Sequence, residues 1–270
     1  MRYAASTTIR EDWLRYARAG LGNFRAFELA CGEPRVTVTA PELRSLARLR
    51  LKEGLAYSVH APFRRLDIAS ASRSVAAATE KLYARSLEVA AAVGAEVVVM
   101  HPCMISAEEW NAMGTPERVA LRAREMEAFR RLQQQAAASG VRFAVENMPR
   151  HRAARHVSWI TELLGGLDPS WAGATVDVGH AQTCGIPPGM LLRELGARVI
   201  HVHVHDNSGV GDEHRAVGEG AIDWRQVAEA LVDLDYQGLV ADEALNLEGQ
   251  VRGHERLRFL FDRAARVRFS

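Results

Sequence analysis

Gly94-Ala95-Glu96-Val97-Val98-Val99-Met100-His101 carries the pattern that decides the fold. A glycine stops the helical segment before it, a β-branched run follows, and a histidine closes the run. Such a short apolar run suits a strand covered on both faces, as in a parallel sheet. The same unit recurs outward in both directions. Candidate strands lie at Arg2–Ala5, Arg25–Leu29, Leu55–Val59, Glu96–Met100, Val141–Val145, Ala174–Val176, Arg198–Val204 and Leu239–Asp242. Most are followed by a segment of helical period. Pro41-Glu42 opens one ending near Lys52, Thr115-Pro116-Glu117 opens one running to Ala138 with Thr115 as its cap, and Asp223-Trp224 opens one reaching Leu234. Gly54 and Gly140 stop helices just before the next strand, as Gly94 does. Eight βα units in 270 residues match the usual size of an α/β (β/α)₈ TIM barrel, about 250 residues. A doubly wound open sheet is also built from such units, but its usual Gly-x-Gly-x-x-Gly turn is absent. With no sequence repeat, low-complexity segment or linker, residues 1–270 read as a single domain.

The composition narrows the function. With 34 basic and 33 acidic side chains and 48% hydrophobic residues, the chain can bury a large core, which excludes a disordered tail or a disulfide-stapled miniature. A net charge of +1 provides no broad positive field, so nucleic acid is not the default partner. Lys52 and Lys81 are the only lysines and both fall in helical segments, which disfavours Schiff-base chemistry. No Gly-x-Ser-x-Gly turn offers a serine nucleophile. Met1 to Trp13 contains Arg2, Arg10, Glu11 and Asp12 and does not read as a secretory leader. Val89 to Met100, the most apolar stretch, is interrupted by Gly94 and Glu96 and is too short for a bilayer core of about 30 Å. Cys31, Cys103 and Cys184 are odd in number and widely spaced; they read as buried apolar thiols in a reducing cytoplasm.

The strand ends hold the chemistry. His60, His101, Glu146, Asp177, His203 and Glu243 each close, or nearly close, one of six consecutive candidate strands. In a (β/α)₈ barrel these ends converge on the mouth where active sites are built. Carboxylate oxygens mixed with imidazole nitrogens suit divalent cations. Alternation puts Val97, Val99 and His101 on one strand face, Arg142, Ala144 and Glu146 on another, and Leu239, Ala241 and Glu243 on a third. It also puts His201, His203 and His205 on a shared face, so spacing alone does not choose among them.

With these residues in place, the chain resembles the xylose isomerase-like barrels, which include sugar isomerases and epimerases and the metal-dependent apurinic/apyrimidinic endonucleases. The resemblance spans nearly the whole chain. It rests on His60-Ala61-Pro62-Phe63, His101-Pro102, Glu146-Asn147, Asp177-Val178-Gly179-His180, His203-Val204-His205-Asp206, Asp212-Glu213-His214, Gly218-Glu219-Gly220 and Glu243. It implies that His203, three residues before Asp206, is the ligand among the three histidines. In the sugar epimerase pattern Glu146, Asp177, His203 and Glu243 hold one divalent ion, which could be Mn, Mg, Co or Zn. In the endonuclease pattern His60, His101, His180, Asp212 and His214 complete a cluster of three zinc ions. All nine positions are filled, which favours the nuclease, while the surrounding residues favour the isomerase. Arg64-Arg65-Leu66-Asp67, Asp177-Val178-Gly179-His180 and His203-Val204-His205-Asp206 each depart from the endonuclease runs, and His60-Ala61-Pro62-Phe63 is followed by Leu66-Asp67-Ile68-Ala69-Ser70 as in the sugar branch.

The resulting expectation is a metal-dependent isomerase or epimerase for a small carbohydrate, with the ion stabilising an enediolate and Glu146 and Glu243 moving the proton. His180, Asp212 and His214 would be further ligands or substrate contacts. The alternative is the zinc endonuclease, and a third class is a noncatalytic sugar-binding barrel, although none of the four core ligands is missing. Since relatives often form dimers or tetramers, the resemblance also allows a homo-oligomer. His201 and His205 read as barrel filling and a rim hydrogen bond, and His151, His156 and His254 as surface residues. Arg150, Arg152 and Arg155 read as a solvated loop, and Trp110, Trp159, Trp171 and Trp224 as packing between helices and barrel.

Overall fold

A computed structural model describes residues 2–7, 12–31 and 38–268. Arg10 and Glu11, two of the charges that argue against a leader, lie outside these residues. Eight parallel strands close into a barrel in sequence order. They are β1 (Arg2–Ser6), β2 (Ala26–Ala30), β3 (Ala56–His60), β4 (Val97–Met100), β5 (Arg142–Glu146), β6 (Ala172–Asp177), β7 (Val199–Val204) and β8 (Leu239–Asp242). All eight expected strands are present, with helices between them. Every residue of β4 is buried, as expected of a strand with barrel filling on one side and helices on the other. Among the described residues no helix is long and apolar enough to cross a membrane.

Most strand ends shift by one residue from the sequence reading, so that His60, Glu146 and Asp177 are the last residues of β3, β5 and β6, and two boundaries differ for a specific physical reason. The long helix after β4 begins at Thr115, so its cap is Gly114 rather than Thr115. The Glu117 carboxylate accepts from the Gly114 N–H at 2.6 Å, which fixes the earlier start. β6 starts two residues sooner than Ala174 because Gly173 belongs to it. A Cβ on Gly173 would lie 2.7 Å from Ile200 of β7; close approach of the neighbouring strand requires the glycine, which masks the strand signal.

Strand register stacks the barrel interior in layers. Ala4 pairs with Ala26 and with Ala241, and with Leu239 these form a small apolar floor. One step up, Ser6 pairs with Glu28 and Glu28 with Ser58. At the carboxyl ends Asp177 pairs with His203. The remaining core fills the space between barrel and helices, where Phe27, Tyr57, Phe129 and Phe143 are fully buried.

Candidate metal centre

The turns after β5 and β6 set the backbone of the site. Asp177 ends β6 and caps the next helix, Val178–Thr183, by accepting from the His180 N–H at 2.6 Å, which carries His180 back over the barrel mouth. Asn147 clamps the two strand ends: its carbonyl accepts from Asp177 N–H at 2.7 Å and its amide donates to Asp177 O at 3.0 Å. A Cβ on Gly179 would stand 2.0 Å from the His205 ring, so only glycine admits that ring. Asp206 accepts from Trp224 Nε1 at 2.7 Å and from Gly218 N–H at 2.9 Å. It therefore pins the loop that carries Asp212 and His214.

The four core candidates converge on His203 Nδ1. Glu146 Oε1 lies 3.0 Å from it, Glu243 Oε1 3.7 Å and Asp177 Oδ2 3.8 Å. Glu146, Asp177 and His203 are buried, while Glu243 is slightly open to solvent. His101 Nε2 and His60 Nε2 approach Glu146 Oε2 at 2.9 and 3.4 Å. The first distance is short, but its angle is not that of a hydrogen bond, and both atoms remain without a hydrogen-bond partner. On the other flank His180 Nε2 lies 3.3 Å and His214 Nε2 3.5 Å from Asp212 Oδ2. All nine residues singled out in the sequence thus meet at one mouth.

Electrostatics at this mouth favour positive charge. Burial pushes the Glu146 carboxyl up, but His203 and His101 overcome it and hold it well below the usual range. Burial pushes His203 down, yet Glu243, Glu28 and Glu146 lift it well above an ordinary imidazole. Burial would also lower His214, but Asp212 and Glu243 raise it to about 9. The carboxylates therefore draw positive charge into a buried space.

The donor set fits a divalent ion. Glu146 Oε2, Asp177 Oδ2 and both ring nitrogens of His101 and His205 are buried without hydrogen-bond partners, an unusual accumulation for a folded interior. His60, His180 and His214 direct Nδ1 to the backbone carbonyls of Ala61, Asn147 and Glu243 at 2.8, 2.8 and 3.0 Å. In the neutral rings this places the proton on Nδ1 and turns each Nε2 lone pair toward the carboxylates, as metal-ligating histidines require. A cavity of about 590 Å³ opens above, walled by Phe63, Met104, Met148 and Leu245 and edged by Arg64 and Arg152.

A family model described as the xylose isomerase-like TIM barrel matches residues 15–260. The chain belongs to that family. It is 31% identical over 240 residues to the uncharacterized protein MJ1311 of Methanocaldococcus jannaschii, covering 87% of this chain and 80% of that one. Its fold matches the crystal structure of a D-tagatose 3-epimerase-like protein over the whole of both chains, with a TM-score of 0.89 and 27% identity. A D-psicose 3-epimerase crystallised in the presence of D-fructose shares the family fold at a TM-score of 0.78 and 15% identity, over 97% and 99% of the two chains.

Several residues take places the sequence reading did not give them. Glu28 is buried beneath His203; a lone carboxylate inside the apolar run Ala26–Ala30 was its signal. His205 is buried between Asp177 and Asp212, with Nε2 at 3.2 and 3.4 Å, rather than sitting at the rim. His151 and Arg152 line the cavity. His254 packs against Tyr3 and Phe24. Cys31 and Cys103 are buried, with burial pushing the Cys31 thiol up to about 12, and neither belongs to a candidate metal-holding group among the described residues.

Proposed function

We propose that this protein is a divalent-metal-dependent isomerase or epimerase of a small ketose or related carbohydrate, working without an organic cofactor. The observation that carries this reading is the convergence of Glu146 and Glu243, from the ends of β5 and β8, on His203 Nδ1 at 3.0 and 3.7 Å. The full-length likeness to the D-tagatose 3-epimerase-like protein supports it.

Glu146, Asp177, His203 and Glu243 would hold the ion, which when bound supplies Lewis-acid polarisation of a substrate carbonyl and its neighbouring hydroxyl. The rest falls to side chains. Oε2 of Glu146, free of hydrogen bonds, takes the proton from the carbon beside the carbonyl, and the C–H electron pair moves toward the carbonyl oxygen. Glu243, slightly open to solvent, relays a proton from water to the opposite face, inverting that carbon, and Glu146 gives up its proton in turn. Phe63, Met104 and Leu245 along the cavity cover the carbon skeleton and exclude water. Asp212, His180 and His214 offer hydrogen bonds to hydroxyls.

One feature favours the zinc endonuclease as a second reading: His60, His101, His180, Asp212 and His214 supply more inward-facing donors than one ion uses. Metal analysis of protein purified without chelator, paired with a screen of ketoses for C–H exchange in D₂O, tests the two. About one ion per chain and exchange with a ketose are expected. About three zinc ions together with cleavage of an abasic duplex would replace the isomerase by the endonuclease.

A further inference from the structure

Beneath the candidate centre, Glu28 is fully buried and yet completely hydrogen-bonded. Ser6 Oγ donates to its Oε1 at 3.1 Å, and Ser58 Oγ to its Oε2 at 3.1 Å. The same Oε2 faces His201 Nε2 at 2.9 Å and His203 Nε2 at 3.1 Å. A carboxylate so surrounded by donors is an acceptor only. The His203 nitrogen facing it must carry a proton, so a neutral His203 has its lone pair on Nδ1. That is the atom pointing at Glu146, Glu243 and Asp177.

We infer that Glu28 is a positioning residue: through the Nε2–H of His203 it fixes that ring's tautomer and tilt, so that β7 presents Nδ1 to the metal whereas His60, His180 and His214 present Nε2. His201, perpendicular to His203 with ring centroids 5.1 Å apart, shares the acceptor and keeps Glu28 from turning away. A carboxylate behind a metal-bound imidazole raises its basicity and orients it, and losing one costs about 10–100-fold in metal affinity. The inference rests on the metal reading above and adds to it which atom binds and what holds that atom in place.

The test compares wild type with Glu28→Gln, which keeps the shape and removes the charge, by calorimetric titration with Mn²⁺ and by the visible spectrum of the Co²⁺ form. Expected are an unchanged number of ions, affinity weaker by about 10–100-fold and shifted cobalt bands. A residue that only supports the fold would lower the melting temperature of the metal-free protein and leave both readouts alone. Because the variant could fail to fold, ¹⁵N-histidine-labelled wild type loaded with ¹¹³Cd²⁺ provides an independent measurement: cadmium coupling is expected at His203 Nδ1. Equal affinity in Glu28→Gln, coupling at Nε2, or loss of an ion from the variant, which would make Glu28 a ligand, each overturns the inference alone. A wild type that binds no divalent ion overturns the metal reading and this inference with it.

Discussion

The floor and the mouth of the barrel are built by the same strands with the same alternation, yet they are opposite in character. At the floor, Ala4, Ala26, Leu239 and Ala241 meet as small apolar side chains. Further along β2 the same face carries Glu28, and beyond Ala241 the face of β8 carries Glu243. The floor has nothing left to bind. The mouth keeps buried oxygens and ring nitrogens without hydrogen-bond partners, a cost in stability that a folded protein usually avoids. The contrast teaches that composition alone does not mark the site, since Glu28 is as buried and as charged as Glu146. What marks the mouth is unsatisfied capacity: Glu28 has every oxygen occupied, whereas Glu146 keeps one free.

The largest effects are expected at the mouth. Glu146→Gln preserves volume and removes the proton acceptor, and at saturating metal should lower kcat on the identified ketose by about 10²–10⁴-fold while the protein still melts cooperatively. Steady-state kinetics with a thermal melt checks it, and unimpaired turnover would break the division between a binding mouth and an inert floor. Removing the ion comes next. An ion present at 100 times its dissociation constant stabilises the protein by about 2.7 kcal/mol, so chelation should lower the melting temperature and readdition restore it. A melt that ignores chelator would leave the unsatisfied mouth atoms without their explanation.

These expectations rest on features of unequal visibility in the sequence. The barrel was legible because β-branched runs such as Val97-Val98-Val99 and glycine stops such as Gly94 and Gly140 are local signals that packing reinforces. Six of the mouth residues, His60, His101, Glu146, Asp177, His203 and Glu243, were legible because each lies at or close to a strand end, where chain order translates into position; His180, Asp212 and His214, on a helix and a loop beyond β6 and β7, were placed only by the family resemblance. His205 was harder: its burial depends on the loop that Asp206 pins, a contact running from Asp206 to Trp224. Glu28 was missed for a related reason. Its partners come from β1, β3 and β7, and only barrel closure brings Ser6, Ser58 and His203 around it. The β6 start was hidden because Gly173 answers to the proximity of Ile200, which no local pattern records.

Smaller effects are expected at the floor, and they should leave chemistry alone. Ala4 is fully buried between Ala26 and Ala241, so Ala4→Leu inserts methylenes where no space exists. Overpacking of this kind costs about 1–3 kcal/mol. Urea denaturation should show that loss, while kcat per folded molecule stays near wild type. A matching drop in kcat would show that floor and mouth are mechanically coupled.

The smallest effect is expected just outside the floor, where Arg2 and Glu96 form a bidentate ion pair at 2.5 and 2.7 Å. The geometry is as good as any at the mouth, and the Glu96 carboxylate raises the pKa of the guanidinium. Both side chains are nonetheless nearly half exposed, 46% and 45%, so water and salt screen the attraction and the separated ions remain well solvated. Arg2→Ala should therefore cost only about 0.2–1 kcal/mol, and the difference from wild type should shrink further as salt rises. Denaturation at low and high ionic strength measures both. A larger, salt-independent loss would mean that the Arg2 stem packs over the barrel end and that its contribution is apolar rather than ionic. The sharper comparison is with Glu146, whose imidazole partners stand at similar distances in a buried space: charge pairs of like geometry differ in consequence because water reaches one and not the other.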